Sequence, residues 1–251
     1  MTDDILKSIV DEQPYPIIFA SLSGAHLYGF PSPDSDYDVR GVHCLPLRDV
    51  LGLHGIRETI EISDESRGIE LDLVTHDIKT YALLGMKKNG NLIEQVVSPH
   101  IIHTTPAHDT LRPLLLGCIT KYIAFHYLGF SRKKWEEFDK REAKSVKVLL
   151  YVYRVLLTGI HLMNTGEVEP NLVHLNDVFK LPYIPDLIDA KISSGEHAIL
   201  SDVDVEFHRS EFQRLTAELE SAKDTTHLPE NPARKDDLNE WLIETRLTYG
   251  Q

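Results

Sequence analysis

Residues 34–38 read Asp-Ser-Asp-Tyr-Asp, and the run continues as Val39-Arg40-Gly41-Val42. The alternating stretch 37–44 predicts a β-strand. Asp36 and Asp38 then sit two apart at its start, with both side chains on one face. Two like charges held that close repel, and the arrangement is tolerable when a cation lies between them. Carboxylate oxygens suit Mg²⁺, with Mn²⁺ as its substitute, completed by waters and substrate phosphates. The plain alternative is a surface acidic turn in which Asp34 and Asp36 make Asx-type bonds. An EF-hand fails, because its sixth position needs Gly and holds Val39, and its twelfth needs Glu and holds Leu45.

The flanking sequence predicts more of the same sheet. Residues 15–20 read as a buried strand, and 58–62 and 69–75 as two further strands joined by a polar turn. Gly24 and Gly29 lie on the turn after the first strand, where they let backbone N–H groups approach a phosphate. A two-metal phosphoryl transfer needs a third carboxylate. The last strand offers Glu70 and Asp72 on one face, flanked by Ile69, Leu71 and Leu73. A helix follows over 76–88, with Asp77 at its N-terminus. That placement explains His76-Asp77 better than a metal-dependent phosphohydrolase motif does, since no further ligand set accompanies it.

The second half reads as helical, over 109–129 with a break or start near Pro113, then 132–163, 183–194, 208–222 and 235–249. Loops are expected at 164–172 and 229–232. The whole is an α+β chain, with an α/β module over 1–108 and a helical module over 109–251.

Composition narrows the partners. The formal charge of -13 over 251 residues argues against a wide basic surface, though not against one basic groove. Residues 121–154 carry nine Lys or Arg against four acids. On the helix expected there, Val146, Leu149, Leu150, Tyr153, Leu156, Leu157 and Ile160 share one arc. Lys140, Lys144, Lys147, Tyr151, Arg154 and Thr158 share a second, narrower one. Such a stripe suits a triphosphate or a nucleic-acid backbone, and its plain alternative is a solvated helix face. Cys44 and Cys118 are far apart and form no metal or disulfide pattern, which points to reducing cytoplasm. The N-terminal residues lack the apolar core of a signal peptide, and no unbroken apolar run approaches the roughly 18 residues of a membrane span.

Gly24-Ala25-His26-Leu27-Tyr28-Gly29, then Pro33 to Val42, then Asp72-Leu73-Val74-Thr75-His76-Asp77 and Gly90 to Gln95 together resemble the DNA polymerase β-type nucleotidyltransferase superfamily. They resemble more closely its bacterial and phage members found beside RNA ligases. The resemblance is strong over 16–100 and weaker beyond. It implies a mixed sheet with flanking helices, and Mg²⁺-dependent transfer of a nucleoside monophosphate from an NTP, ATP or CTP first. The acceptor it implies is an RNA 3′ end of tRNA type in repair or processing, with an RNA ligase or another protein as partner and no membrane. It makes Asp36 and Asp38 the metal ligands and Asp72 the third acid, with Glu70 as the alternative. The nucleotide site would take in Ser23, Gly24, Ala25, Tyr28 and Arg40, with Lys144, Lys147, Tyr151 and Arg154 from the cationic arc. Arg40 shares the acid face, either as an ion-pair partner or as a phosphate contact. The superfamily's Gly-Ser is Gly24-Ala25 here, so one hydroxyl that would hold the triphosphate is missing. Two other readings stand beside the first: transfer of AMP onto a protein hydroxyl, as in small antitoxin-like members of the superfamily, which the acidic net charge fits, and a nucleotide-binding regulatory module, which Ala25 favours.

Overall fold

The computed structural model describes residues 2–195, 198–200 and 204–251. The chain forms two compact units. The first holds the chain through Leu27, then Asp36–Ile119 and Asn231–Gln251, and the second holds Tyr28–Ser35 and Thr120–Glu230.

Helix α1 (Thr2–Asp11) opens the first unit. Strand β1 (Ile17–Leu22), the short helix α2 (Gly24–Tyr28), strand β2 (Tyr37–His43) and helix α3 (Leu47–Leu51) follow. Then come β3 (Thr59–Asp64), β4 (Leu71–Asp77), α4 (Ile78–Met86), α5 (Gly90–Val96), β5 (Ile101–Thr104) and α6 (Pro106–Leu116). The sheet order is β3-β4-β2-β1-β5, and only β2 and β4 run parallel. Alternation along the strands sorts the side chains by face. Ala20, Val39, Leu71 and Leu73 pack with Leu6, Ile9 and Val10 of α1 in one apolar cluster. The opposite face carries Phe19, stacked on His108 of α6 with centroids 4.2 Å apart and edge-on to Tyr81 of α4. Asp38, Arg40 and Asp72 also belong to this second face, near the starts of the two parallel strands.

The second unit is built around α8 (Val146–Thr165), packed by α7 (Ala124–Lys140), α9 (Leu172–Phe179), α10 (Ile184–Ser194) and α11 (Val205–Thr225). The apolar arc expected on α8 is fully buried. Helix α8 is apolar nearly all round, and by length and hydropathy it would pass for a membrane span, contrary to the expectation from apolar runs alone. Its burial inside the helical unit accounts for that composition.

Several elements depart from the sequence reading. The single helix expected over 132–163 is two, because Ser145 caps α8 by accepting from the Val148 N–H while Arg141 is extended. Lys140 and Lys144 therefore lie outside α8. The helix expected over 109–129 ends at Leu116 and resumes after a 3₁₀ turn at Lys121–Ile123. Helices α1, α2, α3, α5 and α9 and strand β5 are additional to the elements expected from the sequence.

One cut after residue 108 does not reproduce the two units. Helix α6 and the C-terminal helix α12 (Lys235–Tyr249) belong with the sheet. Trp241 Nε1 donates to the Ala107 carbonyl at 2.9 Å. Arg246 grips Asp77 with two hydrogen bonds, of 2.7 and 2.6 Å, and donates to the Leu45 carbonyl. Burial alone would raise the Asp77 pKa, but the Arg246 guanidinium and the Lys79 and Leu45 N–H groups outweigh it and hold the carboxyl below its usual range. Asp77 also caps α4 through Lys79 N, as expected of a helix start. Both cysteines are free thiols.

Candidate active site

The parallel register sets Asp38 of β2 directly beside Asp72 of β4. Arg40, two residues on, reaches back over the same face. Its Nη2 donates to Asp38 Oδ1 at 2.5 Å and to Asp72 Oδ2 at 2.8 Å. Its Nη1 donates to the carbonyls of Asp72 at 2.6 Å and Val39 at 3.0 Å. The cation that the repelling carboxylates require is thus present within the chain, and Arg40 is an ion-pair partner here. The turn after β1 closes over this pair. Ser23 N donates to the Asp38 carbonyl at 2.8 Å. Gly24 has a left-handed φ of +59°, and a Cβ there would fall 1.9 Å from Asp38 Oδ2. Only a glycine lets the backbone come so near that carboxylate. Ala25 is buried, and His26 stacks on Tyr37 with centroids 4.6 Å apart.

Asp36 and Glu70 stand apart from the pair bridged by Arg40. Each precedes its strand, and the Tyr37 N–H donates to the Glu70 carbonyl at 2.8 Å. Both line an acidic depression of about 440 Å³ with Asp72, Asp64 and Glu65. Among the described residues no three His, Cys, Asp or Glu side chains converge to hold a metal ion. The bridged pair does fit one hard divalent cation. Two carboxylates already flank a single positive nitrogen, and their side chains are 19% and 43% exposed, which leaves room for waters. Of the two acids expected on β4, Asp72 faces Asp38, and Glu70 faces only the acidic depression.

The other expected residues belong to the helical unit and divide by environment. Lys147 and Tyr151 line a half-open cleft of about 560 Å³ with Phe130, Lys134, Glu137 and Arg141. Lys134 lies over the Tyr151 ring at 5.8 Å and pairs with Glu137 at 2.8 Å. Lys144 turns instead to the end of α7, donating to the carbonyls of Phe138 and Asp139 at 3.3 and 2.8 Å. Arg154 is 1% exposed, with its guanidinium 3.9 Å above the Tyr28 ring. Thr158 is also buried, donating to the Glu169 carbonyl. The cationic arc is therefore not one continuous surface stripe. Its far end is buried because α8 packs on several helices at once, which helical periodicity alone does not reveal. Phe130, Lys134 and Arg141 were missed as cleft residues. The local excess of Lys and Arg over 121–154 was their only sequence signal.

The loop from Gly29 to Ser35 is tied down within the same unit. A Cβ on Gly29 would fall 2.3 Å from Asn171 Oδ1. The buried Lys191 donates to Ser32 Oγ at 2.5 Å, and Ser35 Oγ accepts from Ser32 N at 3.0 Å. The stretch leading into the acidic motif is thus anchored within the helical unit.

A mixed five-stranded sheet with helices on its faces, and an aspartate pair on its two parallel strands, is the α+β architecture expected of a nucleotidyltransferase module. The chain belongs to the RNA repair pathway DNA polymerase beta family, matching it over residues 2–244. It is similar to an uncharacterized protein of Methanocaldococcus jannaschii, MJ0002, with 30% identity over 60% of this chain and 61% of that one. It is also similar to an uncharacterized protein of Bacillus subtilis, YcgL, with 25% identity over 96% of this chain and 94% of that one. The chain thus spans somewhat under two thirds of the archaeal relative and nearly all of the bacterial one. A solved nucleotidyltransferase-like protein from Exiguobacterium sibiricum 255-15 aligns with 12% identity over 100% of this chain and 81% of that one. The TM-score of that alignment is 0.36. That family is described as polymerase β-like and as belonging to an RNA repair pathway.

Proposed function

We propose that this protein moves a nucleoside monophosphate from an NTP, ATP or CTP, to the terminal hydroxyl of an RNA 3′ end of tRNA type, breaking the bond between the α- and β-phosphates and releasing pyrophosphate. The observation that carries this reading is the Asp38–Asp72 pair, held in register with one cation between its carboxylates. Asp38 and Asp72 would hold Mg²⁺, or Mn²⁺ in its place, and Asp36 would add its carboxylate from the rim. When bound, the ion supplies charge stabilisation to phosphoryl oxygens and lowers the pKa of a coordinated hydroxyl. The chain's own work is positioning. Asp72, the more exposed carboxylate of the pair, orients the acceptor hydroxyl and accepts its hydrogen bond. Gly24, pressed against Asp38, fixes that carboxylate and leaves backbone N–H groups of the turn facing the phosphates. Lys134, Arg141 and Lys147 with Tyr151 provide charge and a stacking ring for RNA. The rate then comes from orientation and electrostatics, with no covalent intermediate on the protein. An RNA ligase that seals the processed end, acting in the cytoplasm, is the partner this reading implies.

The acidic net charge of -13 fits a second reading, in which AMP passes to a protein hydroxyl. One experiment separates the two. Each α-labelled NTP is incubated with the protein, Mg²⁺ or Mn²⁺, total tRNA and cell protein, beside an Asp38→Asn control. Nuclease-sensitive label supports the RNA acceptor, and protease-sensitive label supports the protein acceptor. Label that persists with Asp38→Asn refutes the site. Absence of label with folded protein under either metal refutes the transferase reading and favours a nucleotide-binding module.

A further inference from the structure

Arg40 is seated more firmly than a surface ion pair. Its guanidinium meets four acceptors, two carboxylates and two carbonyls, all within 3.0 Å. Its side chain is 20% exposed, so a route to solvent stays open. Nη2 is hydrogen-bonded to both Asp38 Oδ1 and Asp72 Oδ2, the two oxygens that a cation shared by the pair would use. A Mg²⁺ ion bonds carboxylate oxygen at about 2.1 Å. It would overlap the guanidinium nitrogen, and the two positive charges would repel besides. Occupancy of this seat by Arg40 and by a divalent ion is mutually exclusive. A guanidinium that leaves two carboxylates needs another anion, and its planar fork matches phosphate oxygens.

We propose that Arg40 is a resident counter-ion that keeps divalent cations out of the Asp38–Asp72 seat until a phosphate-bearing ligand draws the guanidinium away. Cation and phosphate ligand then enter together, and neither binds well alone. This inference rests on the metal reading of the site proposed above, and it adds what decides when the metal enters. Arg40 is a positioning residue in this scheme, acting through the carboxylates.

The test measures Mn²⁺ binding without turnover, by loss of the free-ion paramagnetic resonance signal. Wild-type protein, Arg40→Gln, Asp38→Asn and the double variant are titrated without nucleotide. Arg40→Gln should bind Mn²⁺ at least ten-fold tighter than wild type, and Asp38→Asn should remove that gain in the double variant. In thermal melts of the wild type, Mn²⁺ and inorganic tripolyphosphate together should raise Tm by more than their separate effects combined. In Arg40→Gln, Mn²⁺ alone should raise it. If Arg40→Gln loses its melting transition, Arg40→Lys takes its place, because it keeps the charge with fewer contacts, and a smaller gain in Mn²⁺ affinity is expected. The proposal is overturned if the Arg40 variants bind Mn²⁺ no tighter than wild type while Asp38→Asn abolishes binding, since the seat would then exist unguarded. Micromolar Mn²⁺ binding by wild type without any anion overturns it as well. No Mn²⁺ binding by any variant, with or without tripolyphosphate, overturns both this proposal and the metal reading beneath it.

Discussion

Replacing Gly24 by alanine perturbs one carboxylate and little else. The new Cβ would lie 1.9 Å from Asp38 Oδ2, whereas ordinary contact begins at 3.4 Å, so the carboxylate must retreat by about 1.5 Å. Its path is restricted, because Cβ of Asp38 itself lies 3.1 Å from the added atom and Arg40 holds the other oxygen. The left-handed φ of +59° adds about 1–2 kcal/mol of backbone strain for any L side chain. For a chain of this length that lowers the melting temperature by roughly 2–8 °C. Misplacing a reacting group by about 1 Å costs on the order of 100-fold in rate. Gly24→Ala should therefore lose about 100-fold in nucleotidyl transfer while remaining folded. Gly29→Ala is the control. Its φ is +87° and its Cβ would meet Asn171, the cap of α9, rather than a site carboxylate. It should lose similar stability and keep far more activity. Wild-type transfer by Gly24→Ala, or activity losses in both variants that simply track their melting temperatures, would refute the reasoning.

Further outcomes are expected at Arg246, His43, Lys147 and Lys144. Arg246→Ala leaves Asp77 buried without its partner, which should cost about 3–5 kcal/mol by urea unfolding. Because the pair lowers the Asp77 pKa, its contribution is complete above the unfolded pKa and fades as pH falls through the lower folded value. The acid-unfolding midpoint of Arg246→Ala should accordingly lie higher in pH than that of the wild type. Burial, only partly offset by Asp77, pushes His43 down to about 4 from 6.5. The folded state then resists protonation, and stability should fall by about 3 kcal/mol as pH drops from 6.5 to 4; a His43→Gln variant whose pH slope stays unchanged would count against this. Lys147→Ala should weaken binding of single-stranded RNA and reduce the salt slope by about one. Lys144→Ala should leave that slope alone and lower stability by up to about 1 kcal/mol through loss of its bonds at the α7 terminus.

Local pattern revealed the sheet well. Strands β2, β3 and β4 were legible because alternation and β-branched runs mark them directly, and α12 was legible from its periodicity and flanking polar residues. The short pieces α2, α3, α5 and β5 were not, because a few residues carry no period. The break between α7 and α8 rests on one capping hydroxyl, Ser145, within a stretch whose helical character is otherwise continuous. The resemblance of the motif segment to a nucleotidyltransferase family was legible from residue identities, and the match over nearly the whole chain agrees with it.

By itself the sequence determined which residues could form a cation-demanding pair. It offered Asp36 and Asp38 in one segment and Glu70 and Asp72 in another, and their spacing within each segment could not say which acid of one would face which acid of the other. Tertiary structure decided the rest. The parallel register of β2 and β4, set by hydrogen bonds between segments more than thirty residues apart, chose Asp72 over Glu70 as the neighbour of Asp38. The same register placed Arg40 within reach of both carboxylates. Packing of α8 inside the helical unit buried Arg154 and left Lys147 and Tyr151 at the cleft. A side chain's face follows from local geometry, but what that face meets depends on which distant segment pays the entropy of coming to it.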